Sequence, residues 1–385
     1  MWSSLRPTRP LPVISLLGLA LLLTAAPAQG APAVAGPFVG LYTLAPFAGV
    51  PPAGATKPDD LAISADGKEL WVGYGNTADT TGKGGSSNAV EYDLSSGAVR
   101  QNVSIPGHLD GLKINPRTGN IWATENEDGN PTLAIINHKT GEFQLSTFQA
   151  TLITGGMDDL VFVGSREGVF GSLREEVFGS REEVFIVASS QADLAQPVIV
   201  AIAGKPQQAN TALRSILAGN PSTVWNVVTN EAETTDQIAD PDSMTLDPAG
   251  ELVLDNRSDH SLYIVRAAGA PKPVLRVPLT LAGKPVEVND TIFTTSATSG
   301  ESSSAGIIFI TDTTANAIYR LSKPYFPANE VYTAANVVGD VGLVDLSTGV
   351  VTPVVTGFRG VHGLAFAPTS VAIREQQELG EETAH

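Results

Sequence analysis

Six short segments of this 385-residue chain open in the same way, with an acid or a histidine two residues ahead of an apolar residue. The openings are Asp59-Asp60-Leu61, Asp110-Gly111-Leu112, Asp158-Asp159-Leu160, Asp242-Ser243-Met244, Asp290-Thr291-Ile292 and His362-Gly363-Leu364. In five of them a second apolar residue follows two positions later: Ile63, Ile114, Phe162, Leu246 and Phe366. A period of two is that of a β-strand, so the apolar residues share one face and the polar group starts the strand. If the six strands are equivalent members of a ring, six polar groups, five of them carboxylates, meet around one axis.

Each opening leads through a turn to further strands. Ser64-Ala65-Asp66-Gly67 precedes Leu70-Trp71-Val72, Asn115 to Asn120 precedes Ile121-Trp122-Ala123, and Asp247-Pro248-Ala249-Gly250 precedes Leu252-Val253-Leu254. Glycine supplies the positive φ of the hairpin, and Asp or Asn with Pro starts it. Third strands meet a second turn at Asp93-Leu94-Ser95-Ser96-Gly97, Asn137 to Gly141 and Asp345-Leu346-Ser347-Thr348-Gly349, and a fourth strand follows, as at Val350 to Thr356. Four short antiparallel strands recurring with variable loops are the signature of a β-propeller blade. The expected fold is therefore all-β, a six-bladed β-propeller over residues 36–373. Seven blades is the alternative, the extra one falling between Lys205 and Asn230 or between Lys323 and Thr356. The segment Phe38 to Leu44 is expected to add an outer strand to the blade begun at His362. Such closure removes free sheet edges. Between Asp158 and Asp242 the unit Gly-Ser-Arg-Glu-Glu-Val-Phe occurs in three variants, from Gly164, Gly171 and Gly179. The triplication reads as a hairpin extension, and Asn230 to Asp240 as a polar loop. Residues 374–385 form a polar tail.

Residues 1–30 read as a secretory signal, with Arg6 and Arg9 ahead of the apolar run Leu11 to Ala26 and small residues at the cleavage region. Pro12 breaks that run, and no later stretch is long enough to span a bilayer. The expected location is secreted or extracytoplasmic, periplasmic or extracellular. There are no cysteines, which excludes thiolate catalysis, disulfides and Cys-ligated zinc. A chain this long can bury a core large enough to do without disulfides. The net charge of −17 argues against nucleic acid and anionic membranes as partners and suits a soluble monomer or a cation binder.

The run Asp242-Ser243-Met244-Thr245-Leu246-Asp247-Pro248-Ala249-Gly250-Glu251-Leu252 resembles a blade start of the senescence-marker-protein (regucalcin)/gluconolactonase family, and Asp110 to Trp122 is similar. Ile310 to Leu321 is similar to the strand pair of NHL-type propellers. The resemblance implies a propeller fold, a divalent cation and lactone hydrolysis, with Asp242 as metal ligand and base. The family binds its metal with one Glu, two Asn and one Asp; here the strand starts offer Asp59 or Asp60, Asp110 and Asp158, and only Asp242 matches in type.

Carboxylates converging on a narrow channel repel one another, so either some stay protonated or a cation neutralises them. Metal ligands are expected at Asp59, Asp110, Asp158 and Asp242. Calcium, which tolerates many oxygen ligands, is the first expectation and zinc the second. Asp242, His108 and His362 are the acid–base candidates for a metal-dependent hydrolase of lactones or related esters acting on a small molecule at the channel. The alternative is a non-catalytic extracellular propeller that binds a ligand or protein on its rim. Gly73-Tyr74-Gly75-Asn76-Thr77-Ala78 matches a relaxed dinucleotide fingerprint, but no helix is expected after it.

Overall fold

In the computed structural model, residues 30–129, 132–147, 156–162, 184–188, 197–203, 212–218, 222–235, 238–266, 270–295 and 303–368 are described. Residues 1–29 of the signal sequence, the triplicated segment up to Glu183 and the tail lie outside them. Ala31–His385 forms one compact unit. Among the described residues it is all-β apart from a single 3-10 turn, Gly36–Phe38.

The six openings become the innermost strands of six sheets. These strands are β1 (Pro58–Ile63), β2 (Leu109–Ile114), β3 (Leu160–Phe162), β4 (Pro241–Leu246), β5 (Asp290–Phe293) and β6 (Val361–Pro368). Each packs against the next, and β6 packs against β1, which gives a propeller-like arrangement. The second strands explain their near-continuous apolar runs. Leu70 and Val72 bury toward the β6 sheet, and Trp71, between them, buries toward the β2 sheet. Ile121 and Ala123 face the β1 sheet and Trp122 the β3 sheet. Strands covered on both faces need apolar residues at every position rather than at alternate ones. The core is accordingly split into six clusters, one at each interface between neighbouring sheets.

Three features depart from the sequence reading. The hairpin Ser303–Asp312/Ala317–Pro327 follows β5 in the chain but pairs with β6, and the chain then returns to Val331–Ala335 beside β5. The long Asp290-to-His362 interval thus carries two strands of the next sheet, and the described strands within the stretches proposed to hide an extra blade belong to existing sheets. Thr43–Pro46, rather than Phe38 to Leu44, is the outer strand of the β6 sheet. The third departure is in the supposed polar loop Asn230 to Asp240, where Glu231–Thr235 is a strand: it forms a hairpin with Ser222–Asn226, which pairs in parallel with the edge strand Val274–Pro278.

No helix among the described residues is long and apolar enough to cross a membrane.

Candidate functional site

Four inner strands open on a β-bulge, and the polar doublets occupy it. Between Pro58 and Leu61, Leu109 and Leu112, Pro241 and Met244, and Val361 and Leu364, the register slips against the second strand. A bulge sets two consecutive residues opposite one, so both can turn out of the pleat toward the axis. Polar groups line the axis in two layers, and of the deeper layer only Asp60 comes from such a bulge.

The deeper layer uses the second residue of alternate doublets. Asp60 Oδ2 accepts the Leu112 N–H at 2.7 Å, Asp159 Oδ2 that of Met244 at 2.7 Å, and Asp290 Oδ2 that of Leu364 at 2.5 Å. Strands β1, β3 and β5 thus each clasp the strand that follows. Asp290, grouped by spacing with Asp59, does the work of Asp60. Lys113 lies among these acids, its Nζ 2.7 Å from Asp60 Oδ2 and 3.0 Å from Asp159 Oδ1. The clasped strands carry Gly111, Ser243 and Gly363 at the corresponding position. A Cβ on Gly111 would lie 2.3 Å from Asp159 Oδ1 and 2.6 Å from its Cα. Gly111→Ala is therefore expected to cost about 1–3 kcal/mol through overpacking, read as a lower urea midpoint with unchanged slope.

The outer layer, at the N-terminal ends of the inner strands, collects Asp59, Asp110, Asp158, Asp242, His108 and His362. All four aspartates are buried, 2–8% exposed. Donor atoms of Asp59, His108 and Asp110 lie within 4.8 Å of one another, as do those of Asp110, Glu127 and Asp158. His108 Nδ1 sits 3.1 Å from the Ala78 carbonyl, so that nitrogen is the donor and Nε2 is the ring atom turned to the site. Gly75, part of the false dinucleotide fingerprint, is needed here, because a Cβ on it would lie 2.8 Å from His108 Cε1.

Neither oxygen of Asp158, nor Oδ2 of Asp242, receives a hydrogen bond from a described residue. Burial, followed by the charges of Glu127 and Asp242, holds Asp158 well above the usual carboxylate range. Asp110 is raised by burial and then by Glu127, Asp59 and Asp158. Burial also pushes Asp242 up to about 7, although His362 and Arg257 pull it back. Arg257 Nε lies 3.7 Å from Asp242 Oδ2 and 2.9 Å from Glu287 Oε1.

Burial lowers the His362 pKa, but the Asp59 carboxylate paired with its Nδ1 outweighs this and lifts it to about 9. As an imidazolium it donates from both nitrogens. The Asn289 amide lies 2.6 Å from Nε2, and Asn289 Oδ1 otherwise has no partner. An amide turned to present that oxygen to Nε2 satisfies both groups.

Every residue singled out in the sequence as ligand or acid–base group reaches this mouth. Glu127 was missed because it follows a second strand, outside the repeated opening. Asn126, at φ 62°, turns the chain there, and Gly156 N–H fixes the Glu127 carbonyl at 2.7 Å. Burial, then Asp242 and Asp59, lifts Glu127 to about 8.

No family model and no curated protein matches the sequence. Among solved structures, the chain is similar to virginiamycin B lyase from Staphylococcus aureus, at 10% identity and TM-score 0.45 over 85% of this chain and 95% of that one. It is also similar to a protein of unknown function from Bacteroides caccae, at 11% identity and TM-score 0.41 over 80% and 86%. A chain of a nidogen/laminin complex matches at 10% identity and TM-score 0.46 over 81% and 86%.

Proposed function

We propose that this is an exported, monomeric six-bladed β-propeller whose acid-lined mouth holds a divalent cation and hydrolyses a lactone or related ester. The observation that carries the cation is Asp158, buried at 2% exposure with neither oxygen bonded, beside Asp110 and Glu127. A buried carboxylate without donors costs several kcal/mol unless it is protonated or meets a cation. A donor set made mostly of carboxylate oxygens favours calcium, and the one imidazole beside it puts zinc second. Asp110, Asp158 and Glu127 would hold the ion, with Asp59 and His108 Nε2 beside it and Asp242 at the rim. The cation, when bound, would supply polarisation of the ester carbonyl.

The ester comes from the resemblance of the strand openings, and the residues around them suit it. Asp242 Oδ2 takes no hydrogen bond, Arg257 Nε standing 3.7 Å away, and its pKa of about 7 is where a general base works best. It takes a proton from water as the water oxygen adds to the acyl carbon. The acyl C–O bond then breaks, and the alcohol oxygen recovers that proton. The His362 imidazolium, fixed by Asp59 and Asn289, places positive charge next to the developing oxyanion.

Calcium is expected to raise the melting temperature of the chelator-treated protein. Asp242→Asn is expected to lower kcat on an aliphatic δ-lactone by 100-fold or more while leaving calcium stabilisation within a factor of a few. A protein that calcium and zinc both fail to stabilise rules out the cation. Stabilisation without turnover of any lactone or ester leaves a binding propeller instead of an enzyme.

A further inference from the structure

The opposite end of the same six strands holds a second concavity that the acid mouth does not use. A cavity of about 450 Å³ opens at their C-terminal ends, lined by residues from all six. Its wall includes Ile63, Ile114, Phe162, Leu246, Phe293 and Phe366, one from each inner strand. Five of these are the second apolar residues of the sequence repeat, and those five are only partly buried. A volume of this size is that of a small-molecule site, typically apolar with a few convergent polar groups.

Among the polar lining groups, Lys113 and Asp290 lie at the floor, while Asp247, whose Oδ1 is taken by the Ala249 and Glu251 N–H groups, and Thr245 and Thr295 line the wall. Lys113 is held by Asp60 and Asp159. Asp290 gives Oδ2 to the Leu364 N–H, and its Oδ1 takes no hydrogen bond from a described residue. Three acidic groups therefore share the floor with one ammonium, and Asp290, held well above the usual carboxylate range by burial and then by Asp60, keeps that oxygen unbonded by any described residue until a cation meets it. An anionic head is repelled there, a hydroxyl satisfies one acceptor, and an ammonium satisfies the acceptor and the charge together.

We propose that this cavity binds a small amphipathic amine, its apolar body against the six-strand wall and its ammonium on Asp290. Lys113 with Asp60 and Asp159 lies between this site and the acid mouth.

The test is titration calorimetry of the whole protein with octylamine, octanol and octanoate, in calcium so that the acid mouth is occupied. Octylamine is expected to bind at least tenfold more tightly than octanol, and octanoate least. Leu246→Trp, which fills the cavity, should weaken the amine and the alcohol at least tenfold. Asp290→Asn keeps an acceptor for Leu364 and should bring octylamine to the affinity of octanol. If Leu246→Trp does not retain the wild-type melting temperature, Phe366→Trp fills the cavity from another wall and is read the same way. The proposal is overturned if octanoate matches octylamine, if no ligand binds, or if a folded, cavity-filled variant binds octylamine as the wild type does.

Discussion

In chelator, Asp158→Asn should melt at a higher temperature than the wild type, and in saturating calcium at a lower one. The crossing follows from the two fates of the Asp158 carboxylate. Without a cation it is buried among Asp110, Glu127 and Asp242 with no donor to either oxygen. Replacing it by a neutral isostere removes a penalty of about 1–3 kcal/mol. With calcium at 100 times its Kd the wild type gains about 2.7 kcal/mol, and the variant forfeits most of that gain. A pH dependence accompanies the chelated state. Asp242 and Glu127 have folded pKa values raised to about 7 and about 8, so the folded chain binds protons that the unfolded chain has released. Their contribution is fully present below about pH 4 and is lost as pH rises toward 8. Calcium should flatten that slope by replacing the protons. Calorimetric scans at pH 5 and 7.5, with and without calcium, read all of this. A variant that melts below the wild type in both conditions would mean that Asp158 is a structural acid and not a ligand.

The strand openings were legible because two constraints fall on the same residues. An inner strand must alternate, and its first turn must face the axis, so acid and apolar positions recur at fixed offsets. What spacing could not convey was which acids clasp a neighbouring strand and which stay free. Asp59 and Asp60 are adjacent and chemically identical, yet Asp60 is bonded to Leu112 N–H and Lys113 while Asp59 pairs with His362. The bulge decides this, and a bulge leaves no composition signal beyond the doublet. Its absence at β5 is why Asp290 fell into the wrong group. The only sequence trace of the clasp is the small residue on every second strand: Gly111, Ser243 and Gly363. Glu127 had no repeat to reveal it. The exchange of Ser303–Pro327 into the next sheet was hidden for another reason: each of its strands reads locally like any other, and only pairing distinguishes them.

Lys113→Met is expected to cost about 3–5 kcal/mol at pH 7.5, the largest stability loss of any single change at the axis. Its ammonium is the only cation hydrogen-bonded to Asp60 and Asp159 among the described residues, and it lies in the field of Asp290. Burial disfavours its charge, but those three carboxylates outweigh burial and raise its pKa above the usual lysine value. A lysine raised in this way contributes its full stabilisation at every pH below its unfolded value of about 10.4. Truncation leaves two buried carboxylates uncompensated, the case in which breaking a buried pair is most damaging. Burial already holds Asp159 at about 6 in spite of Lys113, so without the lysine it climbs further and takes up a proton. The deficit of the variant should therefore shrink as pH falls from 7.5 to 5. Asp159→Asn should restore part of it, since the amide still offers an oxygen to the Met244 N–H. Urea denaturation of the single and double variants at both pH values measures the three quantities. A deficit below about 1 kcal/mol at pH 7.5, or one that does not change with pH, would show that Lys113 is solvated like a surface lysine and that the clasped strands hold the ring together without it.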